Sequence, residues 1–465
     1  MKTTINDLNF DNIYNIKTKD KALNKEYGLT KEIVTKISQY KEEPTWVLEL
    51  RLKALETFFA LDNPDWGPDI SYLDINEIAT FVNPDFKEET SWDDVPEDIK
   101  NVFNKLGIPE AEKQNMYGVG AQYDSQMAYH NLANKLKEKG VIYTNFDHAI
   151  KEYPELIKSY FTKLVPITDH KYIALHYALF SGGSFVYIPK GVKLDRPLQS
   201  YFRLNSPGAG QFEHTLIIVD DDASLEFIEG CSAPGYNKLN LHAGCVELFV
   251  GENASLKFST IENWSKNMLN LNTKKSIVKS GGSIEWIMGS FGSKVSMLYP
   301  LSILTGDNIN YRFTSLSFAG ANQNLDTGLK VVVNGNNNCV YVDSKSISKD
   351  GGINTFRSNV EVLKKSVNST LKLDCSSLML DSISKCDTIP VSNIKNSHTT
   401  YSHEASVGKI NDELIYYLET RGFSKDEATK LIVEGFAEPI TKYFPVEYAV
   451  EMNRLINMEL EGTIG

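Results

Sequence analysis

The amino-acid sequence predicts a mainly β protein in which a β-solenoid core lies between two helical domains. Residues 166–404 are rich in Val, Ile, Thr, Tyr and Phe, and their short β-like runs are separated by Gly, Asn, Asp and Ser. A five-residue pattern recurs in that region about every 30 residues, a period typical of solenoids. Apolar residues fall at helical spacing in residues 1–165 and 405–465. We therefore expect three domains with these boundaries.

The N-terminal domain is predicted to be mainly helical. Helical segments are expected at 29–34, 45–55, 125–139 and 152–161. Gly140 is a plausible end for the third of them. Residues 63–69 contain two prolines and a glycine, which predicts a loop, and the acidic segment 83–110 is expected to be a connector.

The repeat predicts how the core is built. Residues 223–227, 254–258 and 282–286 each place a small pair, an aliphatic residue, a charged residue and an aromatic residue in the same order, with weaker copies at 308–311 and 369–373. Because side chains alternate along a strand, the aliphatic and aromatic residues of each unit share one face. Stacked units bury a continuous core and need caps at both ends. A β-sandwich is the alternative, but its strands recur roughly every 8–12 residues, so the longer period favours the solenoid.

The C-terminal domain carries a clear helix start. Ser424 and Glu427 form a capping box, which predicts a helix running through Val433. Gly435 and Pro439 are expected to end that helix, because glycine and proline disfavour a helix interior.

Two further helices are predicted, one on each side of it. The first covers 412–420, and the second covers 446–460 with Pro445 in its first turn. Two apolar stripes follow the helical period, one made of Ala428, Leu431, Ile432 and Phe436 and the other of Ala449, Met452, Leu455 and Ile456. Each stripe can pack on the body of the protein or bind a partner protein, and the sequence leaves both readings open.

Charge and hydropathy exclude several classes of protein. The chain has 465 residues with 48 Lys+Arg and 60 Asp+Glu, a formal net charge of -12. An acidic balance argues against nucleic-acid partners and against docking on anionic lipid. No apolar run approaches the ~20 residues that span a membrane, and the N-terminus resembles neither a signal peptide nor a transit peptide. We expect a cytoplasmic protein with no nucleic-acid or membrane partner.

The cysteines fit a reducing compartment. There are five, at positions 231, 245, 339, 375 and 386, and no two of them form a CxxC pair. An odd number of widely spaced cysteines argues against a disulfide framework, and the missing CxxC argues against a Cys-rich zinc site.

Common catalytic motifs are missing from the sequence. It has no GxxxxGK[ST] phosphate loop, residues 118–123 lack the third glycine of GxGxxG, and His403-Glu404 lacks the second histidine of HExxH. Cys375, His403 and Glu404 remain as soft and borderline ligands that together can hold iron. From composition alone, a buried inert cysteine and a structural histidine are the more common explanation of these residues.

Longer motifs indicate which protein family the sequence resembles. They are EPTW at 43–46, NPDW at 63–66, SGGSFVYIPKGV at 181–192, YFRLN at 201–205, QFEHTLIIVD at 211–220, IEGCSAP at 228–234, LHA at 241–243, HEASVGKI at 403–410 and EYAVE at 447–451. With them, nearly the whole chain resembles the SufB/SufD family of the Suf iron–sulfur cluster assembly system, on its SufB side.

The resemblance implies a fold and a set of partners. The fold is a right-handed parallel β-helix with helical N- and C-terminal domains. The function is that of a scaffold rather than an enzyme, on which a transient cluster, expected as [4Fe–4S], is built. The implied partners are a SufC ATPase on the C-terminal helices, SufD or a second SufB across the β-helix, a cysteine desulfurase with its sulfur carrier, and apo-protein recipients. Reduced flavin accompanies some complexes of this family, although this sequence has no flavin motif.

The resemblance also implies roles for particular residues. Cys231 is the implied sulfur acceptor, and the implied sulfur path is formed by Arg203, Asn205, Glu262, Trp264 and Lys274. Cys375, with His403 and Glu404, is the implied ligand set for the nascent cluster at a subunit interface. Glu262 replaces a usual Gln, Ser402 replaces a common Glu, and the resemblance assigns nothing to Cys245, Cys339 and Cys386.

These roles make chemical sense together. Persulfide sulfur moves by thiolate attack, so both ends of a path need a reactive cysteine, and Arg203 or Lys274 is expected to lower the pKa of a neighbouring thiol. The interior of a solenoid would shield persulfide from oxidation. Two other classes compete with the scaffold: a β-helix enzyme acting on polysaccharide, for which a secretory signal is missing, and a solenoid that only binds other proteins.

Overall fold

The computed structural model describes residues 22–84, 86–105, 116–443 and 446–461. Its core is a parallel β-solenoid that makes about eight turns between residues 183 and 409. Helices lie before and after that core, as the sequence predicts. The parallel pairing excludes the β-sandwich alternative, whose sheets are antiparallel.

The N-terminal part mixes strands with helices. Its strands are β1 Ala22–Tyr27, β2 Ala79–Pro84, β3 Gly118–Tyr123, β4 Gln126–Leu132 and β5 Ile142–Asn145. Its helices are α1 Lys31–Tyr40, α2 Thr45–Ala60, α3 Glu97–Lys105, α4 Asn134–Lys137, α5 Phe146–Glu152, α6 Pro154–Tyr160 and α7 Lys171–Leu179.

The remaining elements form the solenoid and the C-terminal helices. The strands are β6 Gly183–Ile188, β7 Leu198–Arg203, β8 Gly210–Gln211, β9 His214–Val219, β10 Ser224–Ser232, β11 Asn240–His242, β12 Cys245–Val250, β13 Ser255–Asn263, β14 Met268–Asn270, β15 Thr273–Val278, β16 Ser283–Phe291, β17 Val295–Leu298, β18 Leu301–Leu304, β19 Asn310–Ala319, β20 Asn324–Val333, β21 Cys339–Ser348, β22 Ile353–Val362, β23 Thr370–Met379, β24 Lys385–Ile394 and β25 Thr400–Lys409. The helices are α8 Asp412–Thr420, α9 Lys425–Thr441 and α10 Val446–Glu461.

Each early turn of the solenoid contributes strands to three faces. The first face is the sheet β7-β10-β13-β16-β19-β21-β23-β25, and the second is β6-β9-β12-β15-β18-β20-β22-β24. The third face is formed by the short strands β8, β11, β14 and β17, which lead into the first half of β20. From β20 onward the second and third faces are one continuous strand per turn, so the later turns have two long strands each.

The register confirms the predicted repeat. Ser224 aligns with Ser255 and Ser283, and the aromatic position aligns Phe227 with Phe258 and Trp286. These aromatic side chains are fully buried and stack along the solenoid axis, with ring centroids 5.7 Å and 5.3 Å apart. The stack joins one turn to the next and makes the core continuous.

A residue with positive φ precedes each long strand of the first face from β10 to β23. Asp222, Asn253, Gly281, Asn308, Asn337 and Asn368 each lie two residues before such a strand, with φ between 54° and 68°. Asn, Asp and Gly are the residues that adopt this conformation at low cost. The regular spacing of these residues therefore marks the turns of the solenoid.

Two N-terminal predictions need correction. The helix expected over 125–139 is wrong, because β4 occupies 126–132 and only the short α4 follows it. Pairing decides this: β4 runs antiparallel to β3, which is itself an added strand of the first face. In addition, α7 lies inside the stretch expected to be β core, which begins only at β6.

The helix opened by the Ser424–Glu427 capping box is longer than predicted. Both capping hydrogen bonds are present, but α9 continues through Gly435 and Pro439 to Thr441. Pro439 has no N–H to donate to the carbonyl of Gly435, so the helix loses one hydrogen bond there, but Val433 and Ala437 are fully buried against the solenoid. Packing therefore outweighs the local propensity to stop.

The two C-terminal stripes differ. Met452, Leu455 and Ile456 are fully buried against the first face of the solenoid, so the last stripe packs on the body of the protein. In the other stripe Ala428 is buried, whereas Leu431 is exposed. The prediction for Pro445 falls outside the described residues. No helix in the described ranges combines the length and apolarity needed to cross a bilayer.

Candidate functional site

Cys231 lies on the inner face of the solenoid near its N-terminal end. It is in β10, between Phe202 of β7 and Glu262 of β13 in register, and only 1% of its surface is exposed. Its apolar neighbours include Phe202 and Trp264, at the corner where the first face meets the short third face. The alternation of β10 places Glu229 on the same inner face, one step before the cysteine.

A buried ion cluster lies beside this cysteine. The ammonium of Lys274, in β15 on the opposite wall, is 2.8 Å from Glu229 Oε1 and 3.5 Å from Glu262 Oε1. All three side chains are at most 1% exposed. Because Lys274 faces two carboxylates, burial, which acts to lower its pKa, is outweighed and the pKa is raised.

The cluster continues through an asparagine and a histidine. Asn270 donates to Glu262 Oε2 at 2.5 Å, and His242 donates from Nδ1 to Asn270 Oδ1 at 2.7 Å. The other ring nitrogen of His242 donates to Glu213 Oε1. Burial acts to lower the pKa of His242, but the Glu213 and Glu262 carboxylates together raise it. With acceptors on both ring nitrogens, His242 is the second cation of the cluster.

Trp264 covers this chain of polar groups. Its ring centroid is 4.6 Å from that of His242, and it is 1% exposed. Its indole nitrogen has no hydrogen-bond partner among the described residues. The ring therefore separates the His242 end of the cluster from solvent.

The pKa of Cys231 is shifted against the expectation from sequence. Burial raises it well above its usual value, and Glu229, Glu213 and Glu262 raise it further, whereas Lys274 lowers it too little to compensate. Lys274 thus acts in the expected direction, but the net pKa of Cys231 is raised rather than lowered. At neutral pH the group is a thiol, and a reaction of its thiolate requires a base.

Arg203 and Asn205 lie outside the cluster. Arg203 aligns with Ser232, next to the cysteine, so its side chain leaves the opposite face of the sheet and donates to Ser232 Oγ at 2.9 Å. The backbone N–H of Asn205 donates to Asp124 Oδ1 at 2.7 Å. The structure brings Glu262, Trp264 and Lys274 together around Cys231, but not these two residues.

The remaining members of the cluster, Asn270 among them, were not singled out from the sequence. Glu229, Glu213 and His242 stand in the motifs IEGCSAP, QFEHTLIIVD and LHA, and the strand period places Glu229 on the same face as Cys231. A charged residue at a core-facing position is the signal that could have identified it.

Cys375 lies near the other end of the solenoid. It is in β23 on the inner face, 1% exposed, between Ser344 of β21 and Ala405 of β25 in register. Burial and the neighbouring Asp374 and Asp343 raise its pKa to about 12. This thiol is also protonated at neutral pH.

The two predicted co-ligands lie on the last strand and face different sides. His403 stacks on Leu373, on the same inner face as Cys375, and its Nε2 has no hydrogen-bond partner in the described ranges. Glu404 stacks on Asp374, and alternation points it outward, where it is exposed.

These three residues are not a preformed single-chain metal site. Among the described residues, the one group of at least three His, Cys, Asp or Glu ligand atoms lying within 4.8 Å of one another is His176, His214 and Cys245. A set built on Cys375 therefore needs ligands from elsewhere or a movement of β25.

The two cysteines of interest are far apart. Cys375 belongs to the same inner column as Glu229, with four residues between them: Thr260, Met288, Ser315 and Ser344. Five steps of about 4.8 Å make this separation ~24 Å. Cys231 and Cys375 therefore cannot exchange sulfur by direct contact within one chain.

Comparison with protein families accounts for nearly the whole chain. Residues 202–436 match the family described as the SUF system FeS cluster assembly SufBD core domain, and residues 28–200 match the SufBD protein N-terminal region. The chain belongs to the SufBD family. Its members are components of iron–sulfur cluster assembly in the Suf system.

Curated relatives agree with this assignment. An iron-sulfur cluster assembly SufBD family protein of Staphylococcus epidermidis is 48% identical over 440 residues, which is 95% of each chain. Proteins of the same description from Staphylococcus saprophyticus and Staphylococcus aureus are 47% identical over the same length and coverage. These descriptions name the family without separating SufB from SufD.

Proposed function

We propose that this SufBD family member is a SufB-type scaffold that accepts sulfane sulfur at Cys231 and contributes Cys375 to a nascent iron–sulfur cluster. The observation that carries the proposal is the buried cluster of Glu229, Lys274 and Glu262 around the inner thiol. Ion pairs of this kind are costly to bury, and they are retained at positions where they serve chemistry.

The first step is a transfer between sulfur atoms. The thiolate of Cys231 attacks the outer sulfur of a donor persulfide, a new S–S bond forms on the cysteine, and the donor S–S bond breaks and releases the donor thiolate. No net oxidation occurs. The donor is the implied cysteine desulfurase with its sulfur carrier.

The proton of Cys231 must leave for this step to occur. Glu229 lies two residues before Cys231 in β10, on the same inner face. Burial raises the pKa of its carboxyl group, which makes the carboxylate a stronger base. Lys274 then balances the negative charge that the thiolate introduces. The cluster supports both roles without any rearrangement of the strands.

Sulfur then has to cover the distance to Cys375. Release from Cys231 as hydrosulfide takes two electrons and one proton and regenerates the thiol, so a two-electron reductant such as reduced flavin is required. The inner columns toward Cys375 carry many small hydroxyl groups, at positions 260, 290, 315, 317, 344 and 346. These groups can hydrogen-bond to a small anion.

Cluster assembly is proposed at the C-terminal end of the solenoid. Iron and sulfide are the cargo, and Cys375 with His403 and Glu404 would hold them together with ligands from SufD or a second copy of the chain. A cluster that is held by only a few thiolates is labile, which suits its delivery to apo-protein recipients. A [4Fe–4S] product is expected.

The C-terminal helices are the proposed dock for the SufC ATPase, which would supply ATP hydrolysis. Leu414, Tyr416 and Tyr417 of α8 and Leu431 of α9 are exposed. An apolar surface of this kind is typical of a protein-binding site.

All five cysteines are free thiols, which fits the proposed location in a reducing cytoplasm.

Sulfur transfer tests this proposal. The full chain is incubated anaerobically with a cysteine desulfurase, its sulfur carrier and ³⁵S-cysteine, and protein-bound ³⁵S is counted. Wild type and the Cys339→Ser control, which changes an exposed thiol, are expected to bind sulfur, and Cys231→Ser is expected to lose most of it. Equal labelling of Cys231→Ser would remove that cysteine from the function.

Reconstitution with iron and sulfide tests the second thiol. In the presence of the partner subunits, Cys375→Ser is expected to assemble normally but to lose the brown chromophore that wild type develops. Neither ³⁵S uptake nor a chromophore in wild type would favour a solenoid that only binds other proteins.

A further inference from the structure

A second set of potential ligands lies outside the solenoid, under the N-terminal helices. His214 begins β9 and Cys245 begins β12, and the two are register partners on the outer face of the second sheet. His176 reaches them from α7. None of the three is more than 1% exposed, and their ligand atoms lie within 4.8 Å of one another. This site is on the other side of the wall from the cluster around Cys231.

The two histidines face each other through nitrogens that cannot both carry a proton. His176 Nε2 is 3.0 Å from His214 Nδ1. The other nitrogen of His176, Nδ1, is 2.8 Å from the carbonyl oxygen of Ala243, which can only accept, so that nitrogen holds the proton. The Nε2 of His214 lies 3.4 Å from a carboxylate oxygen of Glu247. His176 Nε2 therefore presents a lone pair to His214 Nδ1, and either a hydrogen bond between the rings or a metal ion bound to both nitrogens can occupy the gap.

Glu247 is a fixed anion. Its carboxylate accepts hydrogen bonds from the backbone N–H groups of Thr162 at 3.0 Å and of Leu164 and Val165 at 2.9 Å, and it is fully buried. In the part of the chain that the structure describes, its ion-pair partner is His214. These hydrogen bonds hold the Glu247 carboxylate in place beside the His214 ring.

We propose that His176, His214 and Cys245 bind one Zn²⁺ ion, with Ala243 and Glu247 orienting the two imidazole rings. Imidazole and thiolate are the ligands that zinc prefers, and a carbonyl or carboxylate on the outer nitrogen is the usual partner of a zinc-bound histidine. Three protein ligands leave one position of a tetrahedral ion for a small fourth ligand.

Charge balance supports zinc binding. With zinc bound, the Cys245 thiolate and Glu247 together neutralise the two positive charges of Zn²⁺, and the Cys245 proton is released. Two nitrogens at about 2.0–2.1 Å from a tetrahedral zinc are about 3.3 Å apart. The rings thus need to separate by only a few tenths of an ångström.

Metal content of the full-length protein tests the proposal. Protein from zinc-supplemented cells is washed with a chelator, which removes surface metal, and is analysed by mass spectrometry. Wild type is expected to retain about one zinc per chain. Cys245→Ala is expected to lose it, and Cys386→Ser, which changes another buried thiol, is expected to keep it. Circular dichroism confirms that each variant is folded.

Cobalt gives a second readout that depends on the ligand itself. Protein from cobalt-supplemented cells should show a thiolate-to-cobalt absorption band in wild type and in Cys386→Ser, and none in Cys245→Ala. A metal-free wild type without that band would overturn the proposal and leave a shared proton between the rings. Equal zinc in wild type and Cys245→Ala would place the metal elsewhere and overturn it too.

Discussion

The two ends of the solenoid are finished in different ways. At the N-terminal end, β3 and β4 extend the first face beyond β7, and β5 pairs with β6 on the second. Both outermost strands, β4 and β5, run antiparallel to their neighbours. At the C-terminal end, β24 and β25 are the last strands and most of their residues are exposed. One end is closed by its own chain, and the other presents open strand edges.

The difference explains where a charged cluster can exist. Cys231, Glu229 and Lys274 lie in the turns next to the closed end, where the strands are covered on both faces and water is excluded. His403 lies at the open end in the last strand of the first face, and Cys375 lies in the strand next to it. Chemistry that needs a dry interior suits the first position, and assembly shared with another subunit suits the second.

The largest effect is expected from breaking the ion cluster at the closed end. Lys274→Met leaves Glu229 and Glu262 buried without their cation, and the free energy of unfolding should fall by about 3–5 kcal/mol. Lys257→Met is the matched control, because its pair with Glu226 is about one-third exposed and should cost less than about 1 kcal/mol. Urea denaturation measures both.

The pH dependence of this variant sharpens the test. Carboxylates that have lost their cation bind protons more tightly in the folded chain, so the Lys274→Met deficit should shrink as the pH falls from 7 toward 5. Equal losses for the two lysine variants, or a deficit that grows on acidification, would contradict a buried ion cluster.

At the open end, the Cys375 thiol should be unreactive until a metal or a partner changes its surroundings. Its pKa is raised from 9.0 to about 12, so its thiolate fraction at pH 8 is about a thousandfold below that of an ordinary cysteine. Iodoacetamide alkylation mapped by mass spectrometry should label the exposed Cys339 and spare Cys375. Labelling of both at similar rates in the folded chain would contradict this shift.

The same shift fixes a stability trend with pH. The folded pKa of Cys375 lies above the unfolded value, so the stabilisation from its thiol form is complete below about pH 9 and is lost as the pH rises toward 12.

The alkylation experiment has its control in urea. Cys339 and Cys375 should react alike in the unfolded chain.

A smaller effect is expected from changing the open edge itself. Val391→Lys in β24 and Val407→Lys in β25 alter side chains that are about half exposed, so the free energy of unfolding should change by less than about 0.5 kcal/mol. Association with a SufD-type subunit or a second copy should weaken about tenfold or more, because a charge blocks edge pairing. Sedimentation in the analytical ultracentrifuge measures this association.

Val450→Lys is the matched control for the edge variants. This valine is exposed on α10, away from both strand edges, and its change should leave association intact. Association unaffected by all three lysines would mean that the open end is not an interface.

Local rules predicted the solenoid and failed where packing between distant segments decided the structure. The repeat at 223–227, 254–258 and 282–286 appears in the structure in register. Each unit consists of residues adjacent in the sequence, so its strand pattern can be recognised without knowing the tertiary structure. The segment 125–139 was mistaken for a helix, since its strand exists only by pairing with β3. Pro439 did not end α9, because burial of the neighbouring Ala437 holds the helix together.

The candidate site shows the same division. The motifs led to Cys231, Glu262, Trp264 and Lys274, and the structure places them together. Arg203 lies in the neighbouring motif but leaves the other face of its strand, which a motif alone does not resolve.

The sequence by itself determined the family and the stacked strands, because the family motifs and the repeat period can be read from the order of the residues. Only the tertiary structure decided the rest: which carboxylates surround Cys231, that its pKa rises rather than falls, and that one end is closed while the other stays open. Those features depend on residues from different turns meeting across a dry interior, where burial outweighs a single nearby cation.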